Sequence, residues 1–204
     1  VKLTNSISFY GQYMMDDFSI VKNSLRNKTG FQAGAKYFDL FGAKNLHLQL
    51  EYNQVRPYSY THSSPSQSYT HYNQSLTHPL GANFTEAIAF LNYRIGDFFA
   101  KLKFSYALIG KDYSINNYNF GNNIFKSDTI AIPFDENNNV MLQGLKTNLI
   151  HKDFHIGYLV NPSTNFNILV GISNRISTSA IENSKTNYVY FGIRTSLSNV
   201  YYDF

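Results

Sequence analysis

The chain has 204 residues and no cysteine, which excludes disulfides, thiol catalysis and Cys-ligated metals. Charged residues make up 15% and the formal net charge is +4. The basic residues are scattered, which excludes the dense cluster that nucleic-acid binding needs. Hydrophobic residues reach 43% and aromatic residues 17%, with 17 Tyr and 17 Phe, yet mean hydropathy is slightly negative. No run of ~18 apolar residues exists to form a transmembrane helix.

The first predicted strand covers residues 3–15, with Leu3, Ile7, Phe9, Tyr13 and Met15 on one face. Thr4, Ser6, Ser8, Tyr10 and Gln12 alternate with them. A polar stretch, 16–29, leads to a second strand over 30–38, with Phe31, Ala33, Ala35 and Tyr37 outward. After a link at 39–44, Leu46, Leu48, Leu50 and Tyr52 oppose His47, Gln49, Glu51 and Asn53. A long polar segment follows at 54–83. The fourth strand, 84–95, places Ala87, Ala89, Leu91, Tyr93 and Ile95 against Glu86, Asn92 and Arg94. Gly96-Asp97 makes a tight turn. The fifth strand sets Phe98, Ala100, Leu102, Phe104 and Tyr106 against Lys101, Lys103 and Ser105.

A second long segment, 110–139, is rich in Asn. The sixth strand spans 140–160, clean only at Phe154, Ile156, Tyr158 and Val160, and its phase slip near Ile150 predicts a bulge or an irregular start there. Asn161-Pro162-Ser163-Thr164 is a turn, because Pro fixes φ and cannot donate to a ladder. In the seventh strand Phe166, Ile168, Val170 and Ile172 face outward. A medium loop at 177–185 is expected before the last strand, 188–197, in which Val189, Phe191, Ile193, Thr195 and Leu197 oppose Tyr188, Tyr190, Gly192, Arg194 and Ser196. The chain ends on Phe204.

Links alternate long and short, with the long ones at one end. Together with large outward residues and strands of ~10 residues, this predicts an all-β fold: a transmembrane antiparallel β-barrel in a bacterial outer membrane. The alternative is a soluble sandwich or lipocalin-like barrel. Residues 1–204 read as one domain that opens directly in strand-like sequence, expected of the C-terminal part of a larger barrel. Residues 54–83 form an extracellular or plug loop.

Two segments, THYNQSLTHPLGANFTE at 70–86 and FGIRTSLSNVYYDF at 191–204, resemble the Wzi-like capsule-assembly outer-membrane proteins. Bacteroidetes relatives of the RemB type are tied to gliding motility and adhesion. The run His78-Pro79-Leu80-Gly81-Ala82-Asn83 and the terminal Tyr201-Tyr202-Asp203-Phe204 carry the likeness most specifically, with the N-P-x-T hairpin at 161–164. The resemblance covers residues 60–204; earlier strands agree in pattern only. It implies a plugged monomeric barrel of about eighteen strands that attaches or organises surface polysaccharide and catalyses nothing. With about eight strands here, a fragment is expected before a small closed barrel.

The candidate glycan-contacting residues are Tyr58, Tyr60, Tyr69, His71, Tyr72, Asn73 and His78. Tyr rings stack on sugar C–H faces, and amides and imidazoles satisfy hydroxyls. The competing reading is a plug loop with His78–Gly81 as a fixed turn. The spacing of His62, His71 and His78 matches no metal motif, and His151 and His155 read as separate lumen residues. Arg94, Lys101, Lys103, Arg175 and Arg194 are expected in the lumen, with Glu51, Glu86 and Asp153 as ion-pair partners. Left unpaired, the basic set would attract acidic polysaccharide. No G-x-S-x-G elbow or phosphate loop is present, and neither cofactor nor metal is expected. The expected partners are membrane lipid, lipopolysaccharide, surface polysaccharide and other outer-membrane or motility proteins, with no nucleic acid. The functional expectation is non-enzymatic polysaccharide binding. The alternatives are a structural subunit of a gliding or type IX secretion apparatus, or a diffusion channel.

Overall fold

The computed structural model describes residues 1–114, 118–130 and 138–196. Ten strands lie among them: β1 (Ile7–Asp17), β2 (Lys28–Tyr37), β3 (Leu46–Val55), β4 (Thr70–His71), β5 (Gln74–Ser75), β6 (Phe84–Ile95), β7 (Phe98–Lys111), β8 (Leu145–Asn161), β9 (Phe166–Ser179) and β10 (Asn183–Arg194). The rest of the described structure is turns and three single 3-10 turns. β4 and β5 make a small separate hairpin. The other eight strands form one antiparallel sheet in the order β1-β2-β3-β6-β7-β8-β9-β10. β1 and β10 are its edges and do not pair with each other, so the sheet is open.

Period-two alternation gives the sheet two chemically different faces. On the outer face, large apolar residues from every long strand stay in contact with solvent, from 38% exposure at Ile168 to 73% at Val189. Phe9, Tyr13, Phe31, Leu50, Tyr93, Leu102, Phe104, Phe154, Ile156, Val170 and Phe191 belong to this belt. The inner face is polar over most of its height. One register row runs Gln12, Gln32, Asn53, Glu86, Ala107, Leu149; the next runs Tyr10, Gly34, Glu51, Ile88, Ser105, His151, Arg175.

The links alternate in position. Residues 18–27, 56–83, the described parts of 112–144 and residues 180–182 lie at one end of the sheet; 38–45, 96–97 and 162–165 lie at the other. Gly96, with φ +57, makes the two-residue turn between β6 and β7. At 162–165 the Asn161 side chain accepts from Ser163 N at 2.9 Å. The long links fold over the inner face and close a small core of Val55, Ala82, Phe84, Ala107 and Ile109, with Tyr60, Leu80 and Leu149 packed against it.

Several expectations are corrected. Neither a bulge nor an irregular start lies at Ile150: β8 begins at Leu145, later than the expected 140, and β7 and β8 pair without interruption from Lys111↔Leu145 to Phe98↔Tyr158. The pattern changes there because β8 runs past the apolar belt. Leu149 turns into the core, while Lys146, Asn148 and Lys152 lie outside on the same row as Phe154. Register instead shifts between Leu159 and Asn161, and in β1 between Met15 and Asp17. The medium loop expected at 177–185 is mostly strand, with a tight turn at 180–182 closed by Ser179 N to Glu182 O at 2.9 Å. Its polar residues are the upper ends of β9 and β10. Residues 3–6 are a turn, with Leu3 N donating to Ile7 O at 2.9 Å, so β1 starts later than expected. Thr195 and Ser196 follow the end of β10, and the terminal Tyr201–Phe204 motif lies outside the described residues.

Candidate functional site

The two longest links are locked to each other and to the sheet. Asn83, fully buried at φ +56, sits at the centre. Its Nδ2 donates to Gly110 O (2.8 Å), Phe120 O (3.1 Å) and Gln143 O (2.9 Å), and its Oδ1 accepts from Leu142 N at 2.7 Å. Asn122 Nδ2 donates to Leu80 O and Ala82 O at 2.8 and 2.6 Å. Lys28 Nζ, nearly buried, donates to Thr61 O at 2.6 Å and pairs with Asp128 at 2.9 Å. An Asn in the left-handed region with four satisfied bonds is a local anchor.

The proposed glycan residues separate into three groups. Tyr58 is corrected: it is buried, and its hydroxyl donates to Asn119 O at 2.6 Å, so it serves the cap and reaches no ligand. Burial, reinforced by the charge of Asp112, pushes this phenol well above its usual range. Tyr60, Tyr69 and His78 come together around a cavity of about 470 Å³ between the 56–83 link and the inner face. Gln12, Gln32 and Asn53 also line it. Tyr60 and Tyr69 meet edge to face at 5.8 Å, and His78 stacks on Phe84 at 4.5 Å. Burial, and secondarily Tyr69, also raises Tyr60. His71, Tyr72 and Asn73 lie apart on the β4–β5 hairpin, where Tyr72 is 89% exposed and both Tyr72 and Asn73 have positive φ.

His78–Gly81 is a turn, closed by Gly81 N to His78 O at 2.8 Å. His78 does more than turn the chain, because its Nε2 lies 3.1 Å from Glu86 Oε2. Glu86 accepts from Asn53 at 3.3 Å, and Asn53 also donates to Glu51 at 2.9 Å. Tyr10 donates to Glu51 at 2.6 Å and accepts from Gln49 at 2.8 Å. A mirrored device stands near the other edge, where Tyr190 donates to Asp153 at 3.0 Å beside His155.

In both devices an edge-strand Tyr crosses a Gly of the next strand to reach a carboxylate two strands away. Tyr10 pairs with Gly34 and Tyr190 with Gly171, and a Cβ at either glycine would collide with the ring. The sequence analysis missed Tyr10, Gln49 and Tyr190. The available signal was a mid-strand Gly on the polar face with a Tyr in the adjacent strand.

The expected ion pairing of the inner-face cations with Glu51, Glu86 and Asp153 does not occur among the described residues. Those carboxylates are taken by Tyr, Asn and His. Lys101 and Lys103 lie over the rings of Phe99 and Phe90, each at 5.7 Å. Arg94 is 3.9 Å from Asp97, and Arg175 sits in register between His151 and Thr186. The histidines are dispersed: His62 is near Asp16 (3.4 Å), His151 near Ser173 (3.0 Å), and His155 near Asp153 (3.2 Å). Among the described residues no three His, Asp or Glu side chains converge as metal ligands would.

The cavity thus supplies flat rings at its rim and amides on its floor. Searches of protein-family models, curated proteins and solved structures find no match for this chain.

Proposed function

We propose that this chain is part of an outer-membrane β-barrel that binds or organises surface polysaccharide without catalysis. The observation that carries the reading is the contrast between the faces. The outer face exposes an apolar belt across all eight strands; the inner face is polar and capped by loops at one end. Soluble monomers rarely leave contiguous apolar patches beyond a few hundred Å². An apolar groove of about 570 Å³ on the belt, between Phe98, Ile156, Val170 and Phe191, suits acyl chains. No helix of the described residues is long and apolar enough to cross a membrane, so any crossing would use the strands. In lipid the free edges of β1 and β10 require pairing, which argues for further strands completing the barrel.

The cavity bounded by Tyr60, Tyr69 and His78 supports the glycan part of the reading. The test is polysaccharide retention by cells carrying Tyr60→Ala/Tyr69→Ala. A loss of retention with normal barrel assembly is expected; unchanged retention overturns the glycan role. A second reading, a structural subunit of a surface complex, draws on the protruding β4–β5 hairpin. It wins if His71→Ala/Tyr72→Ala abolishes co-purification of another outer-membrane protein while polysaccharide retention persists.

A further inference from the structure

A second cavity, of about 450 Å³, opens at the turn end of the sheet, far from the loop cap. Its basic groups come from separate strands: His47 of β3, Arg94 of β6, Lys101 of β7, His155 of β8 and Arg194 of β10. Among the described residues no Asp or Glu lines it. Among the described residues, the one carboxylate within ion-pair reach of Arg94, Lys101 or Arg194 is Asp97, 3.9 Å from Arg94 on an exposed turn. His47 Nδ1 is buried without a hydrogen-bond partner among the described residues. His155 keeps Asp153 at 3.2 Å and Arg94 keeps Asp97, while Lys101 and Arg194 have no carboxylate in ion-pair reach among the described residues; such an excess of cations focuses a positive potential into a concave site, which an anion relieves.

The rest of the lining narrows the ligand class. Asn45 and Asn92 supply amides that can donate to and accept from hydroxyls. The Phe99 ring, with Lys101 Nζ 5.7 Å above its centroid, offers an apolar face beside a positive charge. Carboxylate, hydroxyls and a C–H face occur together in uronate-type sugars. A lipid headgroup fits less well, because the exposed apolar belt is on the opposite face of the sheet from Arg94, Lys101 and Arg194.

We propose that this cavity binds the carboxylate groups of an acidic oligosaccharide. It would be a second subsite for the polysaccharide reading, on which it rests.

The test titrates the full chain, refolded in detergent micelles, with hexagalacturonate, with neutral maltohexaose, and with dihexanoylphosphatidylglycerol as the lipid-headgroup source. Binding of hexagalacturonate at least tenfold tighter than maltohexaose is expected. Lys101→Gln/Arg194→Gln should weaken it tenfold or more, as should raising the salt from about 50 to 500 mM. Folding of the variant is checked by the heat-dependent gel shift of the native band. Equal binding of the two hexasaccharides, an unchanged affinity in the double variant, or a preference for the lipid overturns the proposal. If sugar binding depends on Tyr60 and Tyr69 but not on Lys101 and Arg194, this proposal falls and the general reading stands. If neither sugar binds and Tyr60→Ala/Tyr69→Ala cells retain polysaccharide, both fall.

Discussion

Asn83 holds the cap through one side chain that satisfies three carbonyls and one amide drawn from three chain segments. Asn83→Ala removes this partner from Gly110 O, Gln143 O and Leu142 N, leaves Phe120 O only its bond from Gln143 Nε2 at 3.0 Å, and keeps a positive φ that Ala tolerates poorly. A loss of about 2–4 kcal/mol of cap stability is expected, read as faster proteolysis of the 112–144 link. Tyr58 adds a pH dependence. Its phenol and that of Tyr60 titrate above the ordinary value of about 10 because they are buried. The unfolded cap therefore ionises first. Its stability is full below about pH 10 and declines as pH rises toward the folded values. Tyr58→Phe should remove most of that alkaline loss while costing about 1 kcal/mol at neutral pH through the missing bond to Asn119 O. Gly171→Ala should displace Tyr190 from Asp153, which tyrosine fluorescence would report.

β9 and β10 state the membrane hypothesis most clearly. Val170 and Phe191 are register partners in the middle of the apolar belt. Phe191→Arg or Val170→Arg should each destabilise the lipid-refolded protein by about 2–4 kcal/mol, measured by urea titration in vesicles. Gly192→Arg acts differently, since even a Cβ there meets Leu169 at 3.1 Å on the inner face. Its cost should persist in detergent, where the lipid penalty is relaxed.

These strands also show what the sequence makes legible. β6 is legible to its termini because its alternation is strict and Gly96-Asp97 ends it. β8 and the start of β10 are illegible for one reason: strands that outrun the apolar belt switch to polar outer residues, which imitates a loop or a slipped phase. Of the candidate site, the aromatic content of the 56–83 link was legible. That Tyr58 faces the cap, and that Glu51 is served by Tyr10 from two strands away, depends on pairings no local pattern contains.

In the molecule as a whole, the hydrophobic core is small and sits under the loops, while most large apolar side chains remain outside it. An eight-stranded sheet with two free edges and such a belt is poorly suited to water. Hydrocarbon would solvate the belt, and further strands would satisfy the edges. The decisive experiment is flotation of the purified full chain in a density gradient, with phospholipid vesicles and in detergent-free buffer. Co-flotation with vesicles and aggregation in their absence are expected. A chain that stays monomeric and soluble in plain buffer and ignores the vesicles would contradict a lipid-facing belt.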